Sequence, residues 1–189
     1  GKMIALVGDA ELDEGNIYEC LQEGWKHDLR NVWWIIDYNR QSLDGVVHEG
    51  LWEKIDSVFK SFGWNVVVIK YGELQLNAFN EPGGEKLKEW IDNCPNQLYS
   101  ALIFEGGKAI KERILDDIGD QGNISKLLDS HTDDEFLELM ANLGGHCIKS
   151  LKNAFDTIKD DKPTAFLAYT IKGWGTPLAG HKDNHAGLM

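Results

Sequence analysis

Positive charge is in short supply in this sequence. Lys and Arg together number 19 against 31 Asp and Glu, a formal net charge of −12. That balance argues against nucleic acid or an anionic membrane as a partner, because both are bound through clustered cations. Cysteine is scarce as well. Cys20, Cys94 and Cys147 stand far apart and form no CxxC pair, which disfavours structural zinc and leaves a reduced, cytoplasmic setting as the expectation. There is no signal-peptide pattern, no apolar run long enough to span a bilayer, no internal repeat and no low-complexity tract. Acidity still permits an anionic ligand, since a bound cation inverts the local sign.

What is present suits one domain over residues 1–189. Hydrophobic residues make up 42% of the chain and seven are Trp, enough to bury a core. A strand follows Gly1 almost at once, and we expect the chain to be a piece of something longer. "MIALVG" (3–8), "NVWWIIDYN" (31–39), "WNVVVIKYG" (64–72) and "PTAFLAYTI" (163–171) are short, continuous apolar runs of the kind buried parallel strands need. Between them lie helical faces: Ile17, Cys20, Leu21, Gly24 and Trp25, then Leu51, Ile55, Val58, Phe59 and Phe62. Further helices are expected at about 84–93, over 133–143 and through Ile148, Leu151, Phe155 and Ile158. Residues 94–132 read as helical segments and loops, with "DDIGDQGN" as a turn. Strand, helix, strand, helix, strand over the first 72 residues predicts right-handed parallel crossovers. The fold class is α/β, a doubly wound parallel sheet with helices on both faces.

Ligands of such sheets bind beyond the carboxyl ends of the strands. Two residues there draw attention. Asp9 follows the first strand in "GDAELDEGN", and Asn39 ends the second, thirty positions later. A hard cation such as Mg2+ takes oxygen ligands, one or two from carboxylates and the rest from phosphates and water. Asp9 could give a carboxylate oxygen, Asn39 an amide oxygen, and the "NRQ" turn a backbone carbonyl, with a diphosphate completing the shell near a helix N-terminus. Alone, Asp9 and Glu11 could equally decorate the start of a helix. His181 reads as either site lining or surface, and Lys172 as either a ligand contact or a surface lysine. His146 reads as a helix cap or a packed side chain, Trp33 and Trp34 as strand core or interface, and the acidic runs at 116–120 and 133–135 as solvated surface.

At these positions the sequence resembles the thiamine-diphosphate enzymes of the transketolase and 2-oxo-acid dehydrogenase group. Their signature is GDG followed, about thirty residues on, by Asn at the next strand end; here it stands as Gly8-Asp9-Ala10-Glu11 and Asn39. "GWNVVVIKYG", "LGGHCIKSLKNAF" and "YTIKGWG" are similar to segments of the homodimeric bacterial pyruvate dehydrogenase decarboxylating component. "LAGHKDNHAGLM", Asp37 and Glu14-Gly15 look more like transketolase, where that Glu lies at the subunit interface. The resemblance implies a thiamin-diphosphate-binding fold holding thiamine diphosphate and Mg2+. It implies Asp9, Asn39 and the carbonyl of Gln41 as metal ligands. It places Gly8, Ala10, Glu11, Leu43, Lys172 and His181 against the cofactor and His185 in the catalytic site facing substrate. Ala10 departs from the second glycine of GDG, and its methyl would weaken the hold on the diphosphate.

The function so implied is the cofactor-binding portion of a pyruvate dehydrogenase-type decarboxylating component acting on a 2-oxo acid. The alternatives are a portion of a transketolase acting on ketose phosphates, or a module that binds cofactor without turnover. The family also uses a pyrimidine-binding domain that this chain does not carry, so the chain alone is expected to be inactive. It would be completed by further sequence or a second subunit in a homo-oligomer, and to self-associate or be marginally stable by itself.

Overall fold

The computed structural model describes residues 1–39 and 51–185. Its elements are β1 (Met3–Gly8), a 3-10 turn (Asp9–Asp13), α1 (Gly15–Lys26), β2 (Val32–Tyr38), α2 (Leu51–Ser61) and β3 (Asn65–Ile69). A run of helices follows: α3 (Glu73–Ala78), α4 (Gly84–Asn93), α5 (Asn96–Glu105), α6 (Gly107–Ile118), α7 (Ile124–Asp129) and α8 (Asp133–Ala141). A 3-10 turn (Gly144–His146), α9 (Ile148–Thr157), β4 (Thr164–Tyr169) and a last turn (Lys182–His185) complete it. All strand pairs are parallel and the order is β1-β2-β4-β3, so the last strand inserts between the second and third. β4 is buried at all six positions, as a central strand covered on both faces must be.

Two apolar layers clamp the sheet. On one face Val7, Trp34, Ile36, Ala165 and Leu167 join Leu21 of α1, Ile55 and Phe59 of α2 and the α3–α8 helices in one large cluster. On the other, Phe166 and Ile69 meet Ala154 of α9, with Trp33, Ile35, Leu151 and Phe155 around them. Aromatic edges knit this second layer, with Phe166 5.0 Å from Trp33 and 4.9 Å from Phe155, centroid to centroid. The doubly wound α/β architecture is therefore as the apolar runs suggest.

Three details differ from the sequence pattern. β1 is an edge strand rather than a buried one: Ile4 is 55% and Leu6 79% exposed, and Val7 is its one fully buried side chain. α9 reaches over β2, β4 and β3, and no described helix covers the corresponding face of β1. The same edge position explains α1, whose Leu21 and Gly24 are buried while Cys20 and Trp25 stay in solvent. The acids of "GDAELDEGN" form their own 3-10 turn, and α1 starts after Glu14 with no acid in its first turn. The third strand stops at Ile69, short of residue 72, because Gly72 already starts α3 and its amide donates to the Asn142 carbonyl at 2.8 Å.

These two environments predict different mutational costs. Phe166→Ala should cost about 3–5 kcal/mol, whereas Leu6→Ala should stay within about 0.5 kcal/mol. Chemical denaturation of both variants checks the contrast; similar losses would mean that β1 is covered in solution.

Candidate functional site

Parallel register brings the first two strand ends level. Gly8 of β1 pairs with Asp37 of β2, so Asp9 and Asn39 both lie just beyond the carboxyl ends of neighbouring strands. The turn that carries Asp9 is anchored by buried Leu12. Inside it the Ala10 amide donates to Asp9 Oδ1 at 3.0 Å, which orients the carboxylate. The Glu11 carboxylate folds back over Gly8, since a Cβ there would lie 3.4 Å from Glu11 Oε1. Gly8 itself is extended, with φ −72°, so no left-handed backbone demands glycine at this point. Gly8, Asp9, Ala10, Glu11 and Asn39 therefore share one edge. Gln41 and Leu43 lie outside the described residues.

The end of β4 adjoins this edge. The Thr170 amide donates to the Tyr38 carbonyl at 3.2 Å, and the Thr170 hydroxyl donates to Asp37 Oδ1. Beyond it the chain loops through residues 171–185. The Lys172 carbonyl accepts from the Gly180 amide and from Asn184 Nδ2, both at 3.0 Å, which closes the loop on itself. His181 rests on Phe104 of α5, ring centroids 4.5 Å apart, and its Nδ1 accepts from the Asp183 amide at 3.1 Å. The structure thus seats His181 against α5. Of His185 the backbone is described, as the last residue of the Lys182–His185 turn.

Sequence reasoning gave His146 no part in this region, yet it is where β4 and the loop are tied down. Cys147, not His146, is the N-cap residue of α9. His146 instead accepts the Ile171 amide on Nε2 at 2.7 Å and stacks on Trp174, centroids 4.4 Å apart and planes within 15°. Burial lowers its pKa from the ordinary histidine value, and the nearby Asp37 charge opposes that shift. Two glycines press its turn onto the sheet. A Cβ on Gly144 would lie 2.4 Å from the Ile69 carbonyl oxygen, and one on Gly145 would lie 2.7 Å from that of Tyr169. "GGH" was the one signal that could have pointed here. Among the described residues no three of His, Cys, Asp and Glu are placed to hold a metal ion. A carboxylate with an amide oxygen, as at Asp9 and Asn39, is a donor set of the hard-cation kind.

A parallel sheet with helices on both faces defines the class: an α/β protein whose carboxyl edge, where sheets of this kind bind ligands, carries oxygen-bearing side chains beyond two adjacent strand ends. No family model matches the chain. Among the curated relatives it does match are pyruvate dehydrogenase E1 components. That of Buchnera aphidicola subsp. Schizaphis graminum is 29% identical over 186 residues, 96% of this chain and 20% of the relative. That of Escherichia coli strain K12 is 27% identical over the same shares. That of Corynebacterium glutamicum is 27% identical over 175 residues, 90% of this chain and 18% of the relative. The chain therefore spans about a fifth of the length of the curated relatives it matches. Among solved structures, transketolase from Campylobacter jejuni aligns with 97% of this chain and 18% of its own, at 19% identity and a TM-score of 0.44.

The glycine contacts give a test of how firmly the site region is held. Gly144→Ala should destabilise the protein by about 1–3 kcal/mol, because the new methyl meets backbone rather than a movable side chain. Thermal unfolding reads this directly; a change near zero would show that the turn is loosely seated.

Proposed function

We propose that this chain is the thiamine-diphosphate- and Mg2+-binding portion of a pyruvate dehydrogenase-type decarboxylating component. One observation carries the reading. The Gly8–Asp37 register sets a carboxylate and an amide beyond adjacent strand ends, within a chain whose relatives are pyruvate dehydrogenase E1 components. The donor chemistry fits the group. Asp9 and the Asn39 side chain would hold Mg2+, with the Gln41 carbonyl as third protein ligand, and the cation would offset the acidity of the turn toward a diphosphate. The Gly8–Glu11 turn would face the diphosphate, Leu43 would make an apolar contact to the cofactor, and Lys172 would meet the cofactor or substrate. When bound, the cofactor supplies an electron sink beside the substrate carbonyl. His185 would orient a substrate oxygen or move a proton at it. A pyrimidine-binding domain, supplied by further sequence or by a second subunit of a homo-oligomer, would complete the site.

Asp37, Glu14 and the loop around His185 favour a second reading, a portion of a transketolase acting on ketose phosphates. Assays of the complete protein for pyruvate decarboxylation and for ketol transfer separate the two.

Binding is the nearer test. In the complete protein, Asp9→Ala should weaken Mg2+-dependent thiamine diphosphate binding by about tenfold or more, as loss of metal-site groups does. Calorimetry with and without Mg2+ measures it. Equal affinity for variant and parent would remove Asp9 from the metal site.

A further inference from the structure

We propose that His146 is the positioning residue of this site: its unprotonated Nε2 takes the Ile171 amide and its ring carries Trp174, which together fix the 171–185 loop at the carboxyl edge of the sheet. The assignment rests on the proposed function only for what the loop does, not for how it is held.

The geometry leaves His146 one chemical form. A nitrogen that accepts an N–H at 2.7 Å carries no proton, so the ring is neutral with its proton on Nδ1. Ile171 is the second residue past β4 and the first of the loop bearing Lys172, His181 and His185. The hydrogen bond therefore acts at the loop's root. The stack acts three residues further on, at Trp174, whose other surface is exposed. His146 is itself immobile because Gly144 and Gly145 lie against the Ile69 and Tyr169 carbonyls. On the strand side, Asp37 is both the nearby charge felt by His146 and the acceptor for Thr170, next to Ile171. One imidazole thus joins the turn before α9, the end of β4 and the loop, and feels the charge of Asp37, two positions before Asn39 in the chain.

Protonation would break this arrangement, since an imidazolium cannot accept the Ile171 N–H. The charged groups around the ring are Asp37 from β2, and Asp134 and Glu138 from α8, which line a cleft of about 290 Å3 together with His146 and Trp174. From β4 and the loop the neighbours are uncharged Thr170, Ile171 and Trp174, with Lys172 next in the chain. The sign follows. The folded protein holds the ring neutral, with a pKa below that of the unfolded chain. The contribution is complete above the ordinary histidine value of about 6.5 and is lost as pH falls through the lower folded value.

Amide hydrogen exchange of the complete protein, without added cofactor, tests the proposal. Protection factors for residues 170–185, corrected for intrinsic rates, should fall at least about tenfold as pH drops from 7.5 to 5, with the rest of the sheet unchanged. His146→Phe keeps a stacking ring without the acceptor and should lose that protection at every pH. His146→Gln offers an amide oxygen near the Nε2 position and cannot titrate, so it should keep most of the protection at pH 7.5 and show no step. Wild-type protection that is flat with pH, or parent-like protection in His146→Phe, overturns the proposal. Thiamine diphosphate binding, measured alongside, separates the two claims. The predicted exchange pattern without any cofactor binding supports the positioning role and defeats the proposed function. Cofactor binding with an unperturbed loop in His146→Phe does the reverse.

Discussion

Insertion of β4 between β2 and β3 is the constraint on which the rest of the structure depends. It is the last strand in the chain, it pairs on both sides, and Ala165, Phe166 and Leu167 are wholly excluded from solvent. Without it β1-β2 and β3 would be separate ladders and neither apolar layer would have a centre. The same insertion sets the chemistry. It brings the loop that follows residue 170 beside strand ends more than a hundred residues earlier in the chain. The Thr170 amide and hydroxyl then fasten that juncture to Tyr38 and Asp37. Long-range parallel pairing of this sort is slow to form, because loop closure precedes any reward from burial.

Much of this was legible in the sequence, for physical reasons that can be named. Continuous β-branched and aromatic runs marked all four strands, and the glycine and proline of "NEPGGE" placed α4 at Gly84–Asn93. Strand order was not legible, because period and propensity say nothing about neighbours across a sheet. That is why "MIALVG" read as buried although it forms an edge, and why Trp25 read as core although it is 65% exposed. In the site, Asp9 and Asn39 were visible because a strand end is a sequence feature. The roles of His146 and Asp37 were not. A side chain accepting a backbone amide 25 residues away leaves no periodic trace, and "GGH" looks like a helix start until the carbonyls against its glycines are known.

The acidity of "GDAELDEGN" also takes a more definite shape. Its first carboxylate is oriented by the Ala10 amide, and Glu11 lies over Gly8. Asp13 closes the turn and Glu14 stands at the N-cap of α1 without a side-chain capping bond. Negative charge concentrated at the end of a strand is costly unless something opposes it, and the proposed divalent cation, shared with a diphosphate, would do so. The apolar side chains of Met3, Ile4 and Leu6 on β1 are exposed, and the second domain or subunit invoked in the proposed function would have to cover them if it packs on this edge.

The central claim is that Asp9 and Asn39 hold one cation between two strand ends. Crystals of the complete protein grown with Mn2+ and thiamine diphosphate put this to the test through anomalous scattering. A single strong peak should lie about 2.0–2.3 Å from an Asp9 carboxylate oxygen and the Asn39 amide oxygen. A cofactor bound with its cation elsewhere, and with these two side chains turned away from it, would show that Asp9 and Asn39 are not the metal ligands.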